Sequence, residues 1–171
     1  MNDAMHSFAP HLRRWCGALR PKRILEYGPG LSTQIMRETC PEAYIVTVEH
    51  QPSFATVAVE QGHADKVVVR QVKRSSTYSA VAYEEAIDGL FDLVFVDGRR
   101  RIECALAGLS VLSFSGVLIV HDFERWQYRA ALAPITNILE EYDNTVVLRP
   151  LDFPDWSRCI DVARRHSHGR K

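Results

Sequence analysis

Five short runs of aliphatic and aromatic residues, 23–27 (RILEY), 44–49 (YIVTVE), 67–71 (VVVRQ), 91–96 (FDLVFV) and 115–120 (SGVLIV), recur along the chain with little polar alternation inside them. Runs of this kind suit strands buried on both faces, which occur in parallel sheets covered by helices. The intervening segments, at 31–39, 52–62, 78–88 and 101–111, have helical length, enough for right-handed crossovers back into the same sheet. The spacing predicts an α/β fold, a doubly wound Rossmann-like sheet with helices on both faces. Ahead of it, Phe8, Leu12, Trp15, Cys16 and Leu19 recur at three- and four-residue steps, a short amphipathic helix within residues 1–20 stopped by Pro21. Beyond the fifth run, 125–141 reads as helical. The segments 145–150 and 158–164 read as two short strands joined by a loop with Pro and Asp, a closing hairpin in place of another crossover. No linker, repeat or low-complexity stretch divides the chain, so 1–171 is expected to be a single domain with a disordered tail at 166–171.

Composition narrows the partners. With 171 residues, 46% of them hydrophobic, one sizeable core can be buried. Lys plus Arg and Asp plus Glu number 21 each, so the global basic excess that nucleic-acid and anionic-membrane binders usually show is missing. The tail RRHSHGRK is basic but short. Cys16, Cys40, Cys104 and Cys159 fit no zinc spacing, and a domain able to build its own core has little need of a disulfide framework, so reduced thiols are expected. The N-terminus lacks a basic region followed by an apolar stretch, and no run approaches the roughly 18 apolar residues of a membrane span, which predicts a soluble cytoplasmic protein.

The stretch ILEYGPGLST runs from the first strand through a turn with Gly28 and Gly30 into the first crossover helix. Such a turn lets a ligand approach the backbone closely and aims helix N-terminal amides at it, while Ser32 and Thr33 can cap the helix or touch the same ligand. About 20 residues further on, at the end of the second strand, stands Glu49, where an acid hydrogen-bonds a ribose diol in nucleotide-binding folds of this topology. A nucleoside-type ligand is therefore expected. An oxidoreductase using NAD is the less favoured alternative: the dinucleotide fingerprint asks for a third glycine where this chain has Thr33, and no residues remain for a substrate domain.

In that order, ILEYGPGLST, VTVEH, DLVFVDG and GVLIVHDF, with a closing hairpin, resemble the class I S-adenosylmethionine-dependent methyltransferases, particularly small O-methyltransferase-like members, over about residues 20 to 165. The resemblance implies a seven-stranded sheet whose last strand is antiparallel, with the cofactor S-adenosylmethionine over the carboxyl ends of the first strands. It places Glu26, Gly28 and Gly30 around the methionine portion of the cofactor and Glu49 on the ribose hydroxyls. His50, Gln51 and Ser75 or Ser76 are its candidates for adenine contacts.

Asp97, His121 and Asp122 end the fourth and fifth strands and so project toward the crevice where open α/β sheets bind ligands. Methyl transfer from a sulfonium needs proximity and, for a hydroxyl acceptor, removal of a proton. His121 fits the base by its titration range, with Asp122 or Asp97 orienting or replacing it, and Asp97 also borders the cofactor. The bland reading of His121 is a strand-end residue bonded to nearby backbone. Two carboxylates at adjacent strand ends could instead bind a divalent metal such as Mg. Metal-dependent O-methyltransferases look like this, but Phe123 stands where they commonly carry a second oxygen ligand, which counts against a metal here. The cluster Arg99, Arg100, Arg101 reads as a solvated helix start, or a pair with Glu103, in preference to a site for an acidic acceptor. Arg125, Trp126, Tyr128 and Arg129 are candidates for the acceptor side. The Asp/Asn-Pro-Pro-aromatic motif of amino-methylating nucleic-acid enzymes does not follow the fourth strand. The expected activity is methyl transfer to a small-molecule or glycan-like acceptor at oxygen. A non-catalytic or regulatory module keeping the cofactor fold is the alternative, since fold alone does not establish a reaction. A homodimer, the commonest soluble oligomer, is the expected assembly if there is one.

Overall fold

The computed structural model describes residues 7–69 and 89–152. They build one seven-stranded sheet: β1 (Arg23–Tyr27), β2 (Tyr44–Glu49), β3 (Lys66–Val69), β4 (Phe91–Val96), β5 (Leu112–His121), β6 (Thr136–Tyr142) and β7 (Thr145–Pro150), in the order β3-β2-β1-β4-β5-β7-β6. β1 to β5 are parallel neighbours, and β7 runs antiparallel between β5 and β6. The helices are α1 (Ala9–Leu19), α2 (Leu31–Thr39), α3 (Pro52–Glu60), α4 (Arg101–Ser110) and α5 (Trp126–Leu132). No helix among the described residues is long and apolar enough to cross a membrane.

Side-chain alternation along the strands divides the core in two. Ile24, Leu93, Phe95 and Ile119 share a cluster with Leu12 and Cys16 of α1 and Ile35 and Met36 of α2. Leu25, Val94, Val96, Leu118 and Val120 share the other with Ile102 and Ala105 of α4 and Ala131 and Leu132 of α5. Both faces are thus covered, as the unbroken apolar character of the strands requires. Cys16, Cys40 and Cys104 are buried, Cys16 and Cys40 as free thiols.

Two expectations at the C-terminal side are overturned. The helical reading of 125–141 holds only for Trp126–Leu132; Pro134 cannot continue the ladder, and Thr136–Tyr142 becomes a strand. Its partner is Thr145–Pro150, across a tight turn in which Asp143 adopts φ 46°. The closing hairpin therefore joins 136–142 to 145–150. β5 lies on one edge of β7 and β6 on the other, so both edges of Thr145–Pro150 are taken. The strand expected at 158–164, the helix expected at 78–88 and the tail at 166–171 lie outside the described residues. The antiparallel strand itself, the last of the sheet in sequence, is as expected.

The strand order reverses between β1 and β4, so a crevice opens at their carboxyl ends. Gly28, Glu49, Asp97 and His121 all sit at that end of the sheet.

Candidate active site

The glycine turn is built by contact between two loops. Gly28 has φ 91°, donates its N–H to the Val48 carbonyl at 3.0 Å, and lies against Gly98: a Cβ on Gly28 would stand 2.7 Å from both the Cα and the N of Gly98. The Asp97 amide completes the seam by donating to the Tyr27 carbonyl at 3.0 Å. Gly30 differs, since a Cβ there would meet nothing within 4 Å. It borders a cleft of about 300 Å³ between α2 and α3, lined in part by Pro29, Leu31, Thr33, Phe54 and Val57, which does not include Glu49, Asp97 or His121.

Glu26 sits under this turn, wholly buried. Ser32 Oγ donates to its Oε1 at 2.5 Å and Thr33 Oγ1 to its Oε2 at 2.7 Å, while Thr33 Oγ1 accepts the Gly30 amide at 2.9 Å. Four residues assigned to a ligand by sequence, Glu26, Gly30, Ser32 and Thr33, thus form one network tying β1 to the start of α2. Burial pushes the Glu26 carboxyl up to about 7, against the pull of the Ser32, Thr33 and Thr47 hydroxyls and with a further push from the Asp97 charge. The folded state then binds this proton more tightly than the unfolded chain does. The resulting stability is complete below an unfolded carboxyl's range, near 4.5, and is lost as pH rises through 7. Between pH 5 and pH 8 in urea unfolding, wild type should lose about 3 kcal/mol that Glu26→Gln does not lose. Parallel pH profiles for the two proteins would show that Glu26 is not held protonated.

Glu49 ends β2 and is 5% exposed. Its Oε1 accepts the amides of His50 and Gln51 at 2.6 and 2.7 Å and lies 2.5 Å from His50 Nδ1, so the next two residues fix the carboxylate. These bonds all fall on Oε1, and Oε2 has no partner among the described residues. Ser75 and Ser76 lie outside them.

At the ends of β4 and β5 the three expected residues meet. His121 Nδ1 is 2.8 Å from Asp97 Oδ1 and 3.7 Å from Asp122 Oδ1. The imidazole meets the Phe8 ring edge-on, centroids 5.1 Å apart at 73°. Asp122 leaves the strand at φ 58°, a left-handed conformation that Asp tolerates better than most residues. The arginine run divides. Arg99 is exposed and Arg100 pairs with Glu103 at 2.9 Å, as a solvated helix start would. Arg101 instead folds back over the loop and bridges Asp97, at 2.8 Å, and Asp122. The sequence reading missed this placement. Arg125 reaches Asp122 at 3.2 Å and Tyr128 OH at 3.4 Å, and Arg129 pairs with Glu141 and lies over Phe123. Trp126 is 70% exposed.

Asp97, His121 and Asp122 each offer a ligand atom within 4.8 Å of the others, the spread a metal could bridge. The fit is nonetheless poor. Both carboxylates already close on the Arg101 guanidinium, and Phe123 is a buried hydrocarbon, 1% exposed, that supplies no donor.

The strand order with its antiparallel seventh strand, the glycine turn and the acid ending β2 define the fold of the class I S-adenosylmethionine-dependent methyltransferases. No family model matches the chain. Over 114 residues it is 34% identical to a catechol O-methyltransferase of Mycobacterium tuberculosis, covering 62% of this chain and 50% of that one, so the chain spans about half the length of this relative. Among solved structures it is similar to a Podospora anserina methyltransferase with S-adenosylhomocysteine (SAH) bound, at TM-score 0.63 and 21% identity over 84% of this chain and 78% of the other. A methyltransferase-like protein of Silicibacter pomeroyi gives the same TM-score and identity over 95% of each chain.

Proposed function

We propose that this chain transfers a methyl group from S-adenosylmethionine to a hydroxyl of a small-molecule acceptor, with His121 taking the acceptor's proton. The observation that carries the reading is the His121–Asp97 pair, at 2.8 Å, at the crevice beside the glycine turn. Asp97 accepts the Nδ1 proton and so leaves Nε2 as the basic nitrogen. Glu49 Oε2, with Oε1 already held, suits a ribose diol, and Gly30 leaves space for close approach to the backbone. Bound there, S-adenosylmethionine would supply a methyl carbon activated by its sulfonium, its sulfur leaving with the electron pair. The chain's part would be to hold the acceptor hydroxyl beside His121, whose Nε2 would take the proton that the oxygen gives up. Catechols head the acceptors to screen, because the Mycobacterium tuberculosis relative is named for them. The buried free thiols Cys16 and Cys40 support a place in the reducing cytoplasm.

The test is a calorimetric and thermal-shift titration with S-adenosylmethionine, SAH and NAD. The first two should bind and NAD should not, and a ligand at about 100 times its Kd stabilises the fold by about 2.7 kcal/mol. Glu49→Ala removes charged hydrogen bonds and should weaken the cofactor about 10- to 100-fold. A folded protein that binds neither the sulfonium nor its product sinks the reading.

A further inference from the structure

The position between the carboxylates of Asp97 and Asp122, where a bridging dication would stand, is taken by a side chain. Arg101 is the first residue of α4, and Arg100 before it adopts φ 57°, which turns the chain so that the Arg101 guanidinium points back over the β4 loop. Nε donates to the Gly98 carbonyl at 3.0 Å. Nη1 donates to the His121 carbonyl at 2.9 Å and reaches Asp122 Oδ2. Nη2 donates to the Asp97 carbonyl at 3.0 Å and to its Oδ1 at 2.8 Å. Every guanidinium nitrogen is in use, and the side chain is only 13% exposed.

A guanidinium is always charged, planar and without a lone pair, so it binds carboxylates as a cation and can donate nothing to a metal. A dication entering between Asp97 and Asp122 would face this fixed charge across a partly buried site, and would have to break two ion pairs first. The ring nitrogen of His121 within reach of the cluster is Nδ1, already committed to Asp97. We infer that Arg101 is the built-in cation of this centre, holding the place of a divalent metal between Asp97 and Asp122, so that the centre works without one. What the centre does rests on the function proposed above; which cation fills it does not.

The experiment follows Mn2+ binding to the full-length protein by electron paramagnetic resonance, with folding checked by circular dichroism. Wild type and Arg101→Lys, which keeps the charge, should show no stoichiometric binding. Arg101→Ala should gain one Mn2+ per chain, and Arg101→Ala with Asp122→Asn should lose it again. Stoichiometric Mn2+ on wild type, abolished by Asp97→Asn, overturns the inference. So does a folded Arg101→Ala that binds none, since the carboxylates would then not form a cation place at all. Should Arg101→Ala fail to fold, the wild-type measurement decides alone. Once an acceptor is found, EDTA should leave wild-type turnover unchanged. A protein that fails to bind S-adenosylmethionine leaves the Mn2+ result standing, so the two readings fail separately.

Discussion

His121→Ala should lower methyl transfer to a hydroxyl acceptor by about 10²- to 10⁴-fold, equivalent to about 3–5 kcal/mol of barrier, with little change in affinity for S-adenosylmethionine. The size follows from what the imidazole does in this geometry. Asp97 at 2.8 Å fixes the Nδ1–H tautomer, the Phe8 edge holds the ring from another side, and the side chain remains 16% exposed, enough for Nε2 to meet an acceptor. Asp97→Asn keeps the shape but offers an amide in place of a carboxylate, so it should lose most of the same factor by releasing the tautomer. It should also disturb Arg101, which shares Asp97 Oδ1 with the imidazole. The discriminating readout is the pH profile of kcat/KM: wild type should gain rate as a base deprotonates, and His121→Ala should have lost that limb. Full turnover in His121→Ala, with any catechol or other hydroxyl acceptor that wild type accepts, would remove the base and leave proximity as the chemistry of the site.

The sheet was legible because strands buried on both faces carry their signal in every residue: 23–27, 44–49 and 91–96 match β1, β2 and β4 at both ends. β5 begins at Leu112, earlier than 115, because Ser113 is a half-buried polar residue and Phe114 and Ser115 are exposed at its start, which dilutes the pattern; Phe114 is fully exposed. The 136–142 strand was illegible for the opposite reason. Asn137, Ile138, Leu139 and Glu141 are exposed on the sheet's edge, so the stretch carries no buried periodicity, and pairing with β7 overrides its helical look. Pro134 and the Asp143–Asn144 turn were the available signals.

At the site, the strand-end acids and His121 could be read from position alone, since topology delivers strand ends to one crevice. Arg101 could not. Its placement depends on Arg100 taking a left-handed conformation, and no glycine or asparagine marks that turn in the sequence. Glu26 was legible as important but assigned to the ligand. Ser32 and Thr33, six and seven residues onward in the first turn of α2, were the sign that it also binds the helix start.

Gly28→Ala should cost about 3 kcal/mol, whereas Gly30→Ala should cost at most about 1, although both glycines belong to the same turn. At Gly28 a side chain meets two penalties. Its φ of 91° disfavours any Cβ, by about 1–2 kcal/mol on the scale of left-handed residues. The Cβ would also stand 2.7 Å from Gly98 backbone atoms, which must shift, and crowding of that kind adds about 1–3 kcal/mol. For a chain of this size the midpoint should fall by about 6–12 °C. Gly30, at φ 178° with nothing near its Cβ, carries only the modest preference of a helix N-cap for Gly over Ala. The ligand should reverse the ranking. A Cβ on Gly30 projects into open space, where the proposed function puts the cofactor, so Gly30→Ala should weaken S-adenosylmethionine while melting near wild type. Gly28→Ala, by pushing Gly98 and with it Asp97, should lower both stability and the turnover that depends on His121. Equal melting of the two variants would mean that the Gly28–Gly98 seam yields. Equal cofactor affinity in wild type and Gly30→Ala would mean that no ligand approaches the turn there. One glycine is required by the protein's own second loop; on the proposed function the other is required by the cofactor.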